Sequence, residues 1–155
     1  MDRTELYILA GIILLFMVFF WIIIIYLERR QKNHLVEKLS HMGTIKKSES
    51  KAYDYDFNIN QTSFLVKLLF VGNIRELSFN SNKHWQIKSK KNSMIDTKGF
   101  DALEGNKMII VYPAPKQILK YINENEVVFV RPNEKCFDYY VYTDRTIKEI
   151  KQLEV

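Results

Sequence analysis

One cysteine, three histidines, three prolines and five glycines in 155 residues leave little material for several kinds of chemistry. With Cys136 alone there is no internal disulfide framework, which agrees with a reducing, cytoplasmic compartment. A zinc site draws on several Cys or His ligands. The stretch able to fold as a domain holds one of each, Cys136 and His84. His34 and His41 lie before it, two helical turns apart and short of further ligands. A Ser or Cys nucleophile would have only His84 as its base, and the neighbours of His84 place it on a wet strand face. No glycine-rich loop leads into a helix. The turn after Lys107–Tyr112 is Pro113-Ala114-Pro115, which has few amides to offer a phosphate. Asp54-x-Asp56-x-Asn58 has the start of a calcium loop, but the required Gly and Glu are replaced by Ile59 and Leu65. The sequence therefore predicts no catalytic residues, no metal and no cofactor.

Charge, amide and proline are also missing from Leu6 to Leu27, LYILAGIILLFMVFFWIIIIYL. As a helix these residues extend about 33 Å, against a hydrocarbon core of about 30 Å. Sixteen of the twenty-two are Leu, Ile, Phe or Val. Each favours insertion by about 0.3–0.6 kcal/mol at the bilayer centre, roughly 5–10 kcal/mol in all as an upper estimate. Tyr7 and Tyr26 stand near the two ends, at headgroup level. The residues before the run, Met-Asp-Arg-Thr-Glu, are not the positive leader of a signal peptide, and the run is too long for one. A transmembrane helix is expected over residues 6–27. Arg3 is the one basic side chain before it, while Arg29, Arg30, Lys32 and Lys38 follow within a dozen residues. The positive-inside rule then places residues 1–5 outside the cell and the bulk of the chain in the cytoplasm. The expected location is the cell membrane, crossed once.

The formal net charge is +5. Residues 28–51 carry seven Lys and Arg against three Glu, and residues 52–155 carry fifteen against thirteen acids. The basic excess is thus concentrated beside the expected membrane, where anionic inner-leaflet lipids are expected partners of the stalk. Heavy use of Lys, Ile and Asn points to a low-GC bacterial genome.

Residues 28–51 read as a basic juxtamembrane helix and linker. Leu35, Val36, Leu39 and Met42 follow helical spacing, Gly43 is a stop signal, and Gly43 to Lys51 is polar without periodicity. The apolar stripe is open to three uses: lying on lipid, packing on the domain, or pairing with a partner helix. No small-xxx-small spacing in the anchor supports helix dimerisation.

Residues 52–155 read as a small α/β or α+β domain with a mixed sheet and covering helices. Tyr53, Tyr55, Phe57 and Ile59 alternate with polar residues, a half-buried strand. Gln61 to Val71 reads as a helix with Phe64, Leu65, Leu68 and Leu69 on one face, although SFLVKLLFV also fits a buried strand. Ile74 to Phe79 and Lys83 to Lys90 predict a hairpin. Lys107 to Tyr112 predicts a strand buried on both faces, Pro115 to Asn123 a helix, and Glu126 to Arg131 another buried strand, together a β-α-β crossover. Phe137 to Tyr142 reads as a last strand. A final helix capped by Thr143 or Asp144 would turn Ile147, Ile150 and Leu153 inward.

The sharpest surface feature is basic. From Lys83 to Ile95 there are four lysines, Lys83, Lys88, Lys90 and Lys91, and no acid. Such a strand could grip phosphates, or it is a solvated face whose lysines discourage edge pairing. The small net charge of residues 52–155 is weak for a nucleic-acid binder. Whether Trp85 enters the core or a binding surface stays open. The expected element order (helix, three strands, helix, strand) resembles restriction-endonuclease-like cores, and Asp96-Thr97-Lys98 resembles part of their metal site. That resemblance implies a nuclease, active or degenerate, and the lack of an Asp on the preceding strand favours the degenerate form. The favoured reading is a membrane-anchored module that binds a partner protein. The alternatives are a tethered nucleic-acid-binding or degenerate nuclease domain and a structural subunit of a membrane complex.

Overall fold

The fold is a computed structural model and describes residues 2–89, 92–97 and 99–153. One helix, α1 (Arg3–Ser40), opens the chain and is long and apolar enough to cross a membrane. Its residues as far as His34 form one compact unit, in which the large apolar side chains from Leu6 to Leu27 are exposed apart from the half-exposed Ile25. The second unit starts at Leu35.

In the second unit the last turns of α1 serve the core. Leu35 and Leu39 are buried, and Met42 packs beside them. Of the three uses open to this stripe, packing on the domain is the one observed. The Gly43 amide bonds the Leu39 carbonyl after the helix ends. A Cβ on Gly43 would lie 2.2 Å from the Asn58 carbonyl oxygen, so the close approach of the next strand requires glycine.

Eleven strands follow among the described residues: β1 (Thr44–Lys47), β2 (Tyr55–Ile59), β3 (Thr62–Phe70), β4 (Glu76–Phe79), β5 (Trp85–Lys88), β6 (Ser93–Ile95), β7 (Asn106–Tyr112), β8 (Gln117–Asn123), β9 (Glu126–Phe129), β10 (Lys135–Cys136) and β11 (Tyr139–Thr143). They make two mixed sheets. The first has the order β1-β2-β3-β7-β11-β10, and the second β6-β5-β4-β8-β9. In the first sheet β3, β7 and β11 run parallel, with Leu68 beside Ile110 and Val141 beside Ile109. Parallel strands are normally covered on both faces, and β7 is. Met108, Ile110 and Tyr112 face the layer of Leu35, Leu39, Ile147 and Ile150. Ile109 and Val111 face the second sheet, against Leu77, Phe79 and Trp85.

The sequence reading needs five corrections. The strand from Glu126, expected to be buried, is β9: it closes one edge of the second sheet and all four of its residues are exposed, because no element among the described residues covers it. Residues 61–71 are not a helix. Asn60 and Gln61, both at positive φ, make a two-residue turn and β3 returns along β2. The helical spacing of Phe64, Leu65, Leu68 and Leu69 is what a strand buried on both faces also yields. Residues 117–123 are likewise a strand: β8 lies parallel to β4 and antiparallel to β9. The β-α-β crossover is therefore absent, and the chain from β7 to its parallel neighbour β11 travels through the second sheet instead. The polar stretch after Gly43 holds β1, paired with β2. Finally, the C-terminal covering element is a 3-10 helix, Ile147–Gln152, although Ile147, Ile150 and Leu153 do turn inward. With these helices gone, the element order that resembled a nuclease core goes too.

The expected hairpin is present. β4 and β5 pair with Phe79 opposite Trp85 and Glu76 opposite Lys88.

Candidate interaction surface

The lysine-bearing strand is less open than its sequence implies. Lys88 Nζ lies 2.7 Å from Glu76 Oε1 and donates to the Tyr121 hydroxyl at 2.7 Å. Its ammonium also stands 5.0 Å from the Tyr121 ring centre. Gln117 donates to the other Glu76 oxygen at 2.8 Å. Burial pushes the Glu76 carboxyl up, but the hydrogen bonds from Lys88 and Gln117 outweigh it and leave the group below its ordinary value. The Glu76 and Tyr121 hydrogen bonds raise Lys88 against its own desolvation. Lys83 is exposed, 3.9 Å from Asp101. Lys90 and Lys91 lie outside the described residues, as does Lys98 of the Asp-Thr-Lys triplet. Asp96 and Thr97 sit after β6, with Thr97 bonded to Asp101. In the basic flank, Arg29 and Arg30 are exposed on α1, and Lys32 and Lys38 are half-exposed there.

This pair sets a pH window. The lowered Glu76 contributes stability above its unfolded value near 4.5 and loses it as pH falls through the folded value. The raised Lys88 contributes fully below 10.5 and loses it as pH rises through the folded value. Lys88→Met should cost about 1–3 kcal/mol at pH 7 by leaving Glu76 short of a partner. In urea titrations the difference from wild type should shrink as pH falls below the ordinary value of 4.5 and Glu76 protonates.

Two lysines that sequence reasoning passed over lie inside. Lys67 on β3 is 8% exposed and Lys107 on β7 is 5% exposed. Lys67 donates to the carbonyls of Ala52 at 2.8 Å and Thr97 at 3.3 Å, and Lys107 to that of Asp101 at 2.8 Å. Their ammonium groups stand 5.5 and 5.4 Å from the ring centres of Phe100 and Tyr139, which stack 5.6 Å apart. Hydrogen-bonded to backbone carbonyls, these ammonium groups hold Thr97 and Asp101 onto the first sheet. A charge inside an apolar run such as FLVKLLF was the available signal. Cys136 is buried, and burial pushes its thiol up to about 12, so it is held as a neutral thiol. No group of three or more His, Cys, Asp and Glu is poised to hold a metal among the described residues. An open groove of about 520 Å³ runs past Lys51, Asp54, Lys67 and Asp96, lined by both signs of charge.

Comparison of the chain with protein-family models, curated proteins and solved structures finds no match.

The remaining surface feature is the β8–β9 hairpin. Ile122 is 53% exposed, Val127 41%, Val128 37% and Phe129 67%. β9 is the last strand of its sheet. Val130 donates its amide to Ile118 in the neighbouring strand. By the two-residue alternation of an antiparallel ladder, the amides and carbonyls of Val127 and Phe129 face the open edge.

Proposed function

We propose that this chain is a single-pass membrane protein whose domain works at the cytoplasmic face as a non-enzymatic interaction module, binding a protein partner. The observation that carries the reading is α1, whose uninterrupted apolar run from Leu6 to Leu27 is long enough to cross a membrane and has its large side chains exposed apart from the half-exposed Ile25. Such a surface is costly in water and favourable in lipid. The orientation rests on the excess of Arg29, Arg30, Lys32 and Lys38 over Arg3. Anionic lipids on the inner leaflet would neutralise that flank. A protein partner is supported by the exposed apolar residues of β9. The nucleic-acid alternative has less support, since Lys88 is already paired with Glu76.

The test is topological and biochemical together. A fluorescent reporter that folds only in the cytoplasm, fused to the C-terminus, should light up with the membrane fraction. In-cell crosslinking of the same chain should give a discrete protein adduct. A reporter active only outside the cell would overturn the orientation, and a chain that stays uncrosslinked would overturn the protein-binding role.

A further inference from the structure

The two sheets have four edge strands, and they are not equivalent. β1 carries Lys46 and Lys47, charges that discourage strand addition. β10 is two residues long and β6 is three. Short edges offer few unpaired backbone groups. β9 has neither protection over most of its length. After Glu126 its residues are Val127, Val128 and Phe129, all exposed, with no lysine and no proline among them. An edge of this kind is a template for another strand.

We propose that β9 pairs with β9 of a second copy of this chain, antiparallel across a two-fold axis, joining the second sheets of two molecules into one. This rests on the membrane reading in one respect: confinement of anchored copies raises their effective concentration. A four-residue edge is a small contact, so confinement is what makes it count.

Charge along the hairpin favours a self-pairing of this polarity. Glu124 and Glu126 lead into the strand, while Arg131 and Lys135 follow it. An antiparallel copy brings the acidic end of one strand beside the basic end of the other, whereas a parallel copy would set like charge against like. The same two glutamates at the hairpin tip argue against burial of Val127–Phe129 in lipid. The backbone fixes the register further. Val127 and Phe129 present their amides outward, so the two-fold axis must pass through a residue opposite itself. Centring it on Val128 sets Val127 of each copy against Phe129 of the other. All three apolar residues are then buried by one another, with Asn125 opposite Arg131 at each end. In this register Val128 faces Val128 of the second copy at a non-hydrogen-bonded position, where side chains approach closest.

The experiment is disulfide trapping of the full chain in its membrane. Val128→Cys is placed in a Cys136→Ala background and oxidised mildly, with Lys148→Cys, an exposed position on the C-terminal turn, as the reference. We expect Val128→Cys to form a homodimer at least tenfold faster than Lys148→Cys. Adding Phe129→Glu should remove most of that excess, because it sets a carboxylate within the shared apolar row. Equal rates at positions 128 and 148, or a Val128→Cys adduct containing only a different protein, would overturn the proposal. Resistance of the same sample to alkaline carbonate extraction is scored separately. Failure of that measurement alone counts against the anchor and leaves the trapping result to decide the pairing.

Discussion

Leu14→Arg, Phe16→Arg and Val18→Arg in one chain should release the protein from the membrane. The three positions lie near the middle of the apolar run; Leu14 and Val18, four residues apart, share one side of the helix and Phe16 lies on the opposite side. Each arginine at the bilayer centre costs about 2.5–3.5 kcal/mol, and each loses the 0.3–0.6 kcal/mol that its predecessor contributed. The combined swing is roughly 8–12 kcal/mol, which matches or exceeds the whole insertion energy of the run. The carbonate-resistant fraction, near complete in the wild type, should fall to a small remainder. Leu14→Ile with Val18→Leu, which keeps the run apolar, should leave it unchanged. A triple variant that still resists extraction would mean that something other than this helix holds the protein at the membrane. A wild type that washes off would remove the anchor reading altogether.

That prediction is legible in the sequence because a spanning helix is specified by length and composition alone. The domain is legible only in part, and the divide is physical. Tyr55, Phe57 and Ile59 alternate because β2 has one wet face, and alternation has a single reading. β7 is apolar from Met108 to Tyr112 and bounded by Gly105 and Pro113, too short for a buried helix, so it too reads as a strand. β3 is as apolar as β7 but longer, and its Leu-rich spacing imitates a helix. Its decisive signal was the turn at Asn60 and Gln61, an unusual pair for positions that both need positive φ. In β8 the enrichment in Ile118, Tyr121 and Ile122 favoured a strand, but Pro115 resembled a helix start.

The candidate surface was less legible still. The opposition of Glu76 to Lys88 follows from the hairpin register, but Tyr121 reaches Lys88 from a strand thirty-three residues away. Nothing local announces that contact. The edge position of β9 is a property of sheet order, and a run such as EVVFVR reads the same at a centre or an edge. The lysine strand drew attention because charge is visible in sequence, whereas exposure of Val127 and Phe129 is visible only once their neighbours are placed.

Trp85→Ala should nearly unfold the domain while leaving the membrane anchor in place. Trp85 is fully buried and stands at the centre of an aromatic cluster: Tyr139 at 5.4 Å, Phe79 at 5.5 Å and Phe100 at 6.3 Å between ring centres, all edge-on or nearly so. Its indole nitrogen donates to the Asn82 carbonyl at 3.1 Å, and the Tyr139 hydroxyl donates to the same oxygen at 2.6 Å. Asn82 in turn bonds Asp138 through its side chain. Burial raises Tyr139 above the usual phenol range, so that its hydroxyl stays a donor at alkaline pH where an exposed tyrosine would ionise. Removal of the indole opens a cavity between the two sheets and loosens the turn that three residues hold. Replacing a buried aromatic by alanine costs about 3–5 kcal/mol. Set against a total stability of about 5–15 kcal/mol for a domain, that is a large share and, at the low end, most of it. Trp85→Phe keeps a ring in the cluster but loses the bond to Asn82, so it should fall between, at about 1–2 kcal/mol from the hydrogen bond and the smaller ring. The readouts are urea unfolding of the full chain in lipid nanodiscs, followed by near-ultraviolet circular dichroism, and protease sensitivity. Trp21 remains in the anchor as an internal fluorescence reference. Because α1 as far as His34 is a separate unit from the cluster, carbonate resistance should stay at the wild-type level in Trp85→Ala if α1 is the anchor proposed above. A variant within 1 kcal/mol of wild type would show that the second sheet does not depend on Trp85 for its attachment to the first.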